Sequence, residues 1–315
     1  MMDWTDRHCR FFHRLLNPEI VLYTEMVTTG ALLNGDPERF LRYNTAEHPV
    51  ILQLGGSDPE DLAQAARYAE KYGYDGINLN CGCPSERVQK GAFGACLMAE
   101  PDLVAQCIAH MRDSTALPVS IKCRIGIDES DSYEFLEDFV TKTHAAGCDT
   151  YIVHARKAWL KGLSPKENRE IPPLDYPRVY RLKEEHPDLS IHLNGGICTL
   201  EDMTTPLNMC DGVMIGREAY HNPWFLRRLA EQFTPETAPT TSRAEIVIQM
   251  MDYAAREYRE FDTPLHSITR HMMGLYHGMH GARAWRQHLS NVSRHAQNNP
   301  LFVLDFLNSE CMLTE

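Results

Sequence analysis

The stretch Gly76-Ile77-Asn78-Leu79-Asn80-Cys81-Gly82-Cys83-Pro84-Ser85, with its continuation Gly91-Ala92-Phe93-Gly94-Ala95-Cys96, decides how the rest of the chain is read. It opens as an apolar strand, breaks at Gly82, leaves a thiol in front of a proline and enters a glycine-rich loop. A strand that stops abruptly at a reactive side chain is how parallel α/β enzymes present chemistry. A buried cysteine beside a turn is the ordinary alternative.

Six further apolar runs surround it: Val21–Val27, Pro49–Gly55, Pro118–Arg124, Thr150–Ala155, Ser190–Gly196 and Gly212–Arg217. Each is short, rich in Val, Ile and Leu, and closed by glycine or a polar residue, which predicts buried parallel strands. Amphipathic helices fall between them. In Pro59–Tyr72, Ser57 and Glu60 suggest a capping box, Pro59 suits a first helical position, and Leu62, Ala65, Ala66 and Ala69 share a face. Pro101–Met111, Ser132–Ala146 and Tyr176–Glu185 are further helix candidates. Strand–helix alternation means βαβ units. Seven strands fit either an open doubly wound sheet or a (β/α)8 TIM barrel lacking one strand. No G-x-G-x-x-G follows a strand. Polar residues cluster at many strand ends (Gln53, Asn80, Lys122, His154, Asn194, Arg217), and only a barrel gathers all of those at one mouth. A barrel is therefore expected, with its first strand truncated, because Met1-Met2-Asp3 already reads as loop and helix start.

Residues 1–233 are expected to form this barrel. Residues 234–242 read as a Thr- and Pro-rich linker and 243–315 as a small all-helical domain. In that domain Arg243–Glu260 is predicted helical, with Ile246, Val247, Met250, Met251 and Ala254 inward. Leu265–His277 and Ala282–His295 are predicted as two further helices, and a short one after Pro300.

Composition narrows the function. Hydrophobic residues make up 43%, ordinary for a globular protein. No apolar run is long enough for a membrane span, and no signal peptide is visible. Ten cysteines without such a signal predict reduced thiols and a cytoplasmic location. No second pair accompanies Cys81 and Cys83 at zinc-like spacing, so no metal is expected. The net charge of −12 taken alone argues against nucleic acid, but charge is segregated. From Pro264 to Pro300 stand Arg270, Arg283, Arg286, Arg294 and six histidines, with no Asp or Glu. That reads as a surface for phosphate; Arg283 and Arg286 can share a helix face.

Asn194-Gly195-Gly196 and Gly216-Arg217, at consecutive strand ends, have the form of a barrel phosphate site. Lys122 interrupts an apolar strand and must reach the mouth or a partner. His154 ends its strand, and Gln53 is an amide in a buried strand that needs a partner. Hydrolase motifs are absent. A lysine, a histidine, amides, a phosphate site and a thiol suit a flavin mononucleotide barrel, in which the protein supplies orientation and a proton donor. A free thiol, with a pKa of about 8.5, is protonated at neutral pH.

These residues resemble the tRNA-dihydrouridine synthase family. The resemblance rests on Asn80-Cys81-Gly82-Cys83-Pro84-Ser85 with Gly91-Ala92-Phe93-Gly94-Ala95. Asp3-Trp4-Thr5-Asp6, Thr24-Glu25-Met26-Val27, Lys122-Cys123-Arg124-Ile125-Gly126 and His154-Ala155-Arg156-Lys157-Ala158-Trp159 agree. Gly162 through Leu174 resembles the bacterial A-type subfamily, which acts at positions 20 and 20a of the tRNA D-loop. The likeness covers essentially the whole chain. It implies FMN as cofactor, NADPH as reductant and tRNA as partner, with no DNA and no membrane; no oligomer is implied. By position, Cys83 is the general acid, giving a proton to carbon 5 of the uracil while hydride enters carbon 6. Met2, Gln53, Lys122, His154, Asn194, Gly195, Gly196, Gly216 and Arg217 map to flavin contacts. Asn80, Lys166, Arg169, Arg283 and Arg286 map to tRNA contacts. The family's first strand ends in an Ala-Pro-Met turn, of which only Met2, or Met1-Met2, is present here. Weak flavin retention and reduced stability are the implied result. Two other readings remain at this stage: an FMN barrel acting on a free pyrimidine, and a non-catalytic tRNA-binding protein.

Overall fold

The computed structural model describes residues 1–307. All seven expected strands are present: β1 (Leu22–Thr28), β2 (Val50–Gly55), β3 (Gly76–Cys81), β4 (Val119–Arg124), β5 (Thr150–His154), β6 (Ser190–Asn194) and β7 (Gly212–Met214). They form one parallel sheet in the order β1-β2-β3-β4-β5-β6-β7, with β1 and β7 at its edges. Sequence neighbours are therefore sheet neighbours throughout. That is barrel progression; a doubly wound sheet reverses its order partway.

Helices Pro59–Lys71, Pro101–Ser114, Tyr133–Ala145, Tyr176–Glu185 and Glu201–Met209 fill the crossovers. The first is capped differently from the expected Ser57–Glu60 pairing. Asp58 is the N-cap and accepts the Asp61 amide, because Pro59 at the first helical position leaves only the residue before it to cap. Its predicted face is buried, as are Val104, Cys107, Ile108 and Met111 of the next helix.

The chain divides into two compact units. One comprises Met1, Val21–Tyr43 and His48–Gly216; the other comprises Met2–Ile20, Asn44–Glu47 and the residues from Arg217 onward. Residues 2–20 and 217–233, expected in the barrel, cluster with the helices in the structure. Specific contacts within the helical unit account for this. Asp6 caps the helix Arg7–Leu16 through the His8 and Cys9 amides and takes an ion pair from Arg270 at 2.8 Å and a contact from His271. The Phe11 ring stacks on Tyr253 at 4.1 Å, and the Asn17 carboxamide donates to the Leu226 carbonyl. Arg10 pairs with buried Glu47 at 2.6 Å.

The helix Arg243–Phe261 begins at a capping box of Ser242 and Glu245, with its predicted inner face buried. The predicted helix Leu265–His277 is shorter: Leu265–Thr269, then a 3-10 turn Arg270–Met272. Past it, Gly274 packs so closely on the His221 carbonyl that a β-carbon would lie 2.3 Å from that oxygen. Ala282–His295 is likewise two helices, Ala282–Ser290 and Val292–His295. Trp285 anchors the first, fully buried, with its indole N–H on the Met272 carbonyl at 2.9 Å. The described segment 234–242 is irregular, and buried Arg227 holds the Pro239 carbonyl and the Thr241 hydroxyl. No helix among the described residues is long and apolar enough to cross a membrane.

Candidate active site

Successive residues of a strand face opposite sides. In β3 this puts Ile77, Leu79 and Cys81 on one face and Asn78 and Asn80 on the other. The second set meets polar partners. Gln53 donates from its amide nitrogen to Asn78 Oδ1 at 2.9 Å and accepts from Asn80 Nδ2 at 2.9 Å. Asn78 donates to Ser120 Oγ at 3.0 Å, and Ser120 donates to the Ile77 carbonyl. This ladder satisfies the buried amide that the sequence left without a partner. Asn78 and Ser120 were not foreseen as members of it.

One turn further, Asn80 Oδ1 accepts the Gly82 and Cys83 amides at 3.1 and 3.0 Å. The Cys83 carbonyl accepts the Ala95 amide at 2.9 Å. Gly94 permits that closure: its φ is +77°, and a β-carbon there would lie 2.6 Å from the Cys83 oxygen. Cys83 is half-buried, whereas Cys81 is fully buried and its thiol is pushed well above its ordinary pKa by that burial. The two thiols are thus distinct in setting.

Register carries the site across the sheet: Asn80 is level with Lys122, Arg124 with His154, His154 with Asn194, and Asn194 with Met214. Lys122 Nζ donates to Asn194 Oδ1 at 2.9 Å, and Asn194 donates to the Met214 carbonyl at 2.7 Å. Strands β4 and β6 are not neighbours, so the Lys122–Asn194 bond crosses the concave interior. Burial lowers the Lys122 pKa to about 8, with the Arg124 cation as the next cause. His154 is held well below its ordinary value, first by burial and then by Arg124, Lys122, Arg156 and Arg169. The charged groups acting most on this neutral imidazole are all cations. Cys83 lies within electrostatic reach of Lys122 and Arg124.

Gly195 and Gly196 follow with φ of +109° and +76°; a β-carbon on Gly195 would lie 2.5 Å from the His154 ring. Around Gly216 a β-carbon would meet nothing within 4 Å. A glycine pair, an open glycine, an uncharged imidazole and a cluster of cations form a donor set that fits a planar anionic ligand carrying phosphate. Gln53, Lys122, His154, Asn194, Gly195, Gly196 and Gly216 all belong to the barrel unit, together with Asn80 and Cys83. Arg217 opens the helix Arg217–His221 and belongs to the helical unit, as does exposed Met2.

Sequence reading named Arg124 only within a motif. Its guanidinium is buried and donates to the Gly82 carbonyl at 2.9 Å and to the Lys157 and Asn168 carbonyls at 3.0 Å each. Its place two residues beyond Lys122, on the same strand face, was the available signal. Lys166 is exposed and Arg169 half-buried, flanking fully buried Asn168. In the helical unit Arg283 and Arg286 are both exposed on the helix Ala282–Ser290. The described cysteines are all reduced, and no cluster of metal-ligating side chains occurs among the described residues.

The family described as dihydrouridine synthase (Dus) matches residues 1–312. A tRNA-dihydrouridine(20/20a) synthase of Vibrio cholerae serotype O1 is 57% identical over 291 residues, covering 92% of this chain and 88% of that protein. The protein of the same name from Escherichia coli strain K12 is 55% identical over 297 residues, 94% of this chain and 86% of its own length. Among solved structures, an old yellow enzyme homologue from Zymomonas mobilis superposes with a TM-score of 0.53 at 13% identity. It covers 76% of this chain and 86% of its own, a likeness of fold. By its sequence over nearly its full length, the chain belongs to the dihydrouridine synthase family.

Proposed function

We propose that this protein reduces uridines 20 and 20a in the D-loop of tRNA to 5,6-dihydrouridine, with FMN as cofactor and NADPH as reductant. The observation that carries the reading is the seating of Cys83. Its backbone is held on both sides by Asn80 and Ala95, and its half-buried thiol lies within reach of two cations, one of which is bonded to Asn194. Family membership and the activity for which the relatives are named support it.

Bound flavin supplies the hydride that enters carbon 6 of the uracil. Cys83 gives its thiol proton to carbon 5, completing addition of H2 across the double bond. Solvent then restores the proton to the sulfur left behind. Gln53, Lys122, His154, Asn194, Gly195, Gly196 and Gly216 of the barrel unit hold the cofactor; Arg217 and Met2 are assigned to it by the family resemblance alone. Lys122 presents the cation suited to an electron-rich ring, and the glycines offer backbone amides to phosphate. Lys166, Arg169, Arg283 and Arg286 meet the tRNA backbone, and Asn80 serves the target base by holding the Cys83 loop; that base must leave its stack to react.

The test is nucleoside analysis of unmodified tRNA after incubation with protein, FMN and NADPH. Dihydrouridine confined to positions 20 and 20a is the expected result. A flavin-loaded protein that forms none, or that reduces free uracil and leaves tRNA untouched, overturns the proposal.

A further inference from the structure

We infer that Arg124 and Gln89 are positioning residues that clasp the Cys83 loop to the loop carrying Lys166 and Arg169. This rests on the reading of Cys83 as proton donor.

Two loops meet at the mouth, one after β3 and one after β5. Arg124 Nε holds the Gly82 carbonyl, and its Nη1 holds the Lys157 and Asn168 carbonyls. One planar cation therefore fastens three backbone segments, a task that a fixed fork of donors performs and a lysine cannot. Gln89 makes a second tie from the other side. Its side-chain nitrogen donates to Pro84 O at 2.8 Å and to Leu160 O at 2.7 Å. The two ties bracket Cys83, at Gly82 and at Pro84.

The far loop is itself rigid. Asn168 is fully buried; its Oδ1 accepts the Trp159 amide at 2.7 Å, and its Nδ2 donates to the Trp159, Leu163 and Ser164 carbonyls. Asp128 accepts the Leu160 amide at 2.7 Å and donates its own amide to Ala158, so the loop after β4 braces the same segment. Cys83 is thus set against a fixed frame rather than a swinging one. The residues flanking Asn168 in that frame, Lys166 and Arg169, are the cations assigned to the tRNA. The clasp fixes the proton donor and the substrate cations in one geometry, and a misplacement of about 1 Å costs about a hundred-fold in rate.

Two variants test this: Arg124→Lys, which keeps the charge and loses the fork, and Gln89→Ala, which leaves every charge in place. For each, the rate of iodoacetamide alkylation at Cys83 is followed by peptide mass spectrometry in the flavin-free protein without tRNA, and kcat and KM are measured for tRNA. The expected result is several-fold faster alkylation of Cys83 and a ten-fold or greater loss in kcat, with KM for tRNA within two-fold of wild type. Gln89 lies on a half-buried surface, so its variant reports even where Arg124→Lys fails to fold. Lost turnover with unchanged alkylation in Gln89→Ala overturns the inference, because the residue then acts other than through Cys83. Unchanged turnover and alkylation in Gln89→Ala overturns it as well. If wild-type protein makes no dihydrouridine, the functional reading fails, while the alkylation rates still decide whether the clasp holds Cys83.

Discussion

Asn80 holds Cys83 by its backbone. The carboxamide oxygen accepts the Cys83 amide at 3.0 Å while the carboxamide nitrogen is committed to Gln53 at 2.9 Å. One side chain therefore joins the interior polar ladder to the loop of the thiol. Asn80→Ala frees that loop and leaves Gln53 Oε1 without its donor. Turnover should fall about ten- to a hundred-fold, and stability by about 1–3 kcal/mol for the unmatched buried acceptor. Single-turnover kinetics and urea denaturation measure the two separately; wild-type single-turnover rates would show that the loop does not need Asn80.

The two thiols should respond unequally. Cys83→Ala is expected to lower turnover by about a hundred- to ten-thousand-fold, the range for loss of a positioned acid, with flavin absorbance retained. Cys81→Ala removes a fully buried packing group and should cost about 1 kcal/mol of stability with turnover within two-fold. Equal losses in both variants would contradict the assignment.

Mild acid should destabilise the fold through its buried neutral imidazoles. His13 is buried in the helical unit, its pKa lowered to about 3, chiefly by desolvation; His154 in the barrel unit is held well below its ordinary value, again first by burial. In the unfolded chain both take up a proton near pH 6.5. The stability they contribute is therefore complete above pH 6.5 and is lost as pH falls toward the folded values. At pH 5 the His13 site costs about 2 kcal/mol, and His154 adds a loss of the same sign. Urea midpoints should drop steadily from pH 7 to pH 5, and His13→Phe should flatten part of that slope. A midpoint constant across this window would refute the assignment of buried neutral imidazoles.

Lys122 gives an opposite window. Its folded value is about 8 against an ordinary 10.5, so its charge is lost as pH rises through 8. FMN binding to the flavin-free protein should weaken from pH 7 to pH 9. Lys122→Gln should bind more weakly at pH 7 and lose that step, which equilibrium fluorescence titration reads directly. A step of the same size in the variant would assign it to another group.

Arg283 and Arg286 are exposed and lie one turn apart. Replacing both with alanine should weaken tRNA binding and lower the salt slope of log K by about 0.7 for each phosphate contact removed, with the denaturation midpoint unchanged. An unaltered salt slope would remove these two from the tRNA surface.

The strands were legible because each is a short run of branched apolar residues closed by glycine or a polar group, and β3 ends where Gly82 breaks it. Gln53, Lys122, His154 and Asn194 stood out as polar residues in apolar runs. Arg124, Gln89 and Asn168 did not, because their partners are main-chain groups, in other loops for Arg124 and Gln89 and within its own loop for Asn168, which leave no trace in residue type or spacing. Arg124 bonds carbonyls 33 and 44 residues away. The grouping of residues 2–20 with the carboxy-terminal helices escaped for a similar reason: helical periodicity shows that a face is buried, and contacts such as Phe11 on Tyr253 show against what. The predicted helix Leu265–His277 ends at Thr269, before Gly274, whose close approach to the His221 carbonyl is a tertiary contact that local propensity does not contain.

The bond from Arg270 to Asp6 spans 264 positions of sequence, and it gives the helical unit an order of assembly. During synthesis the segment Arg7–Leu16 is made before Tyr253, Arg270 and Leu226 and must wait for them to appear. The barrel strands between them can pair in succession as they are made, each with the strand just before it. The helical unit can close only after those later residues have been made, because its contacts join segments more than 200 positions apart. A fragment starting at Arg217 would thus lack the partners that bury Tyr253 and neutralise Arg270, and translation halted before residue 270 would release the first helix without the cation that Asp6 awaits.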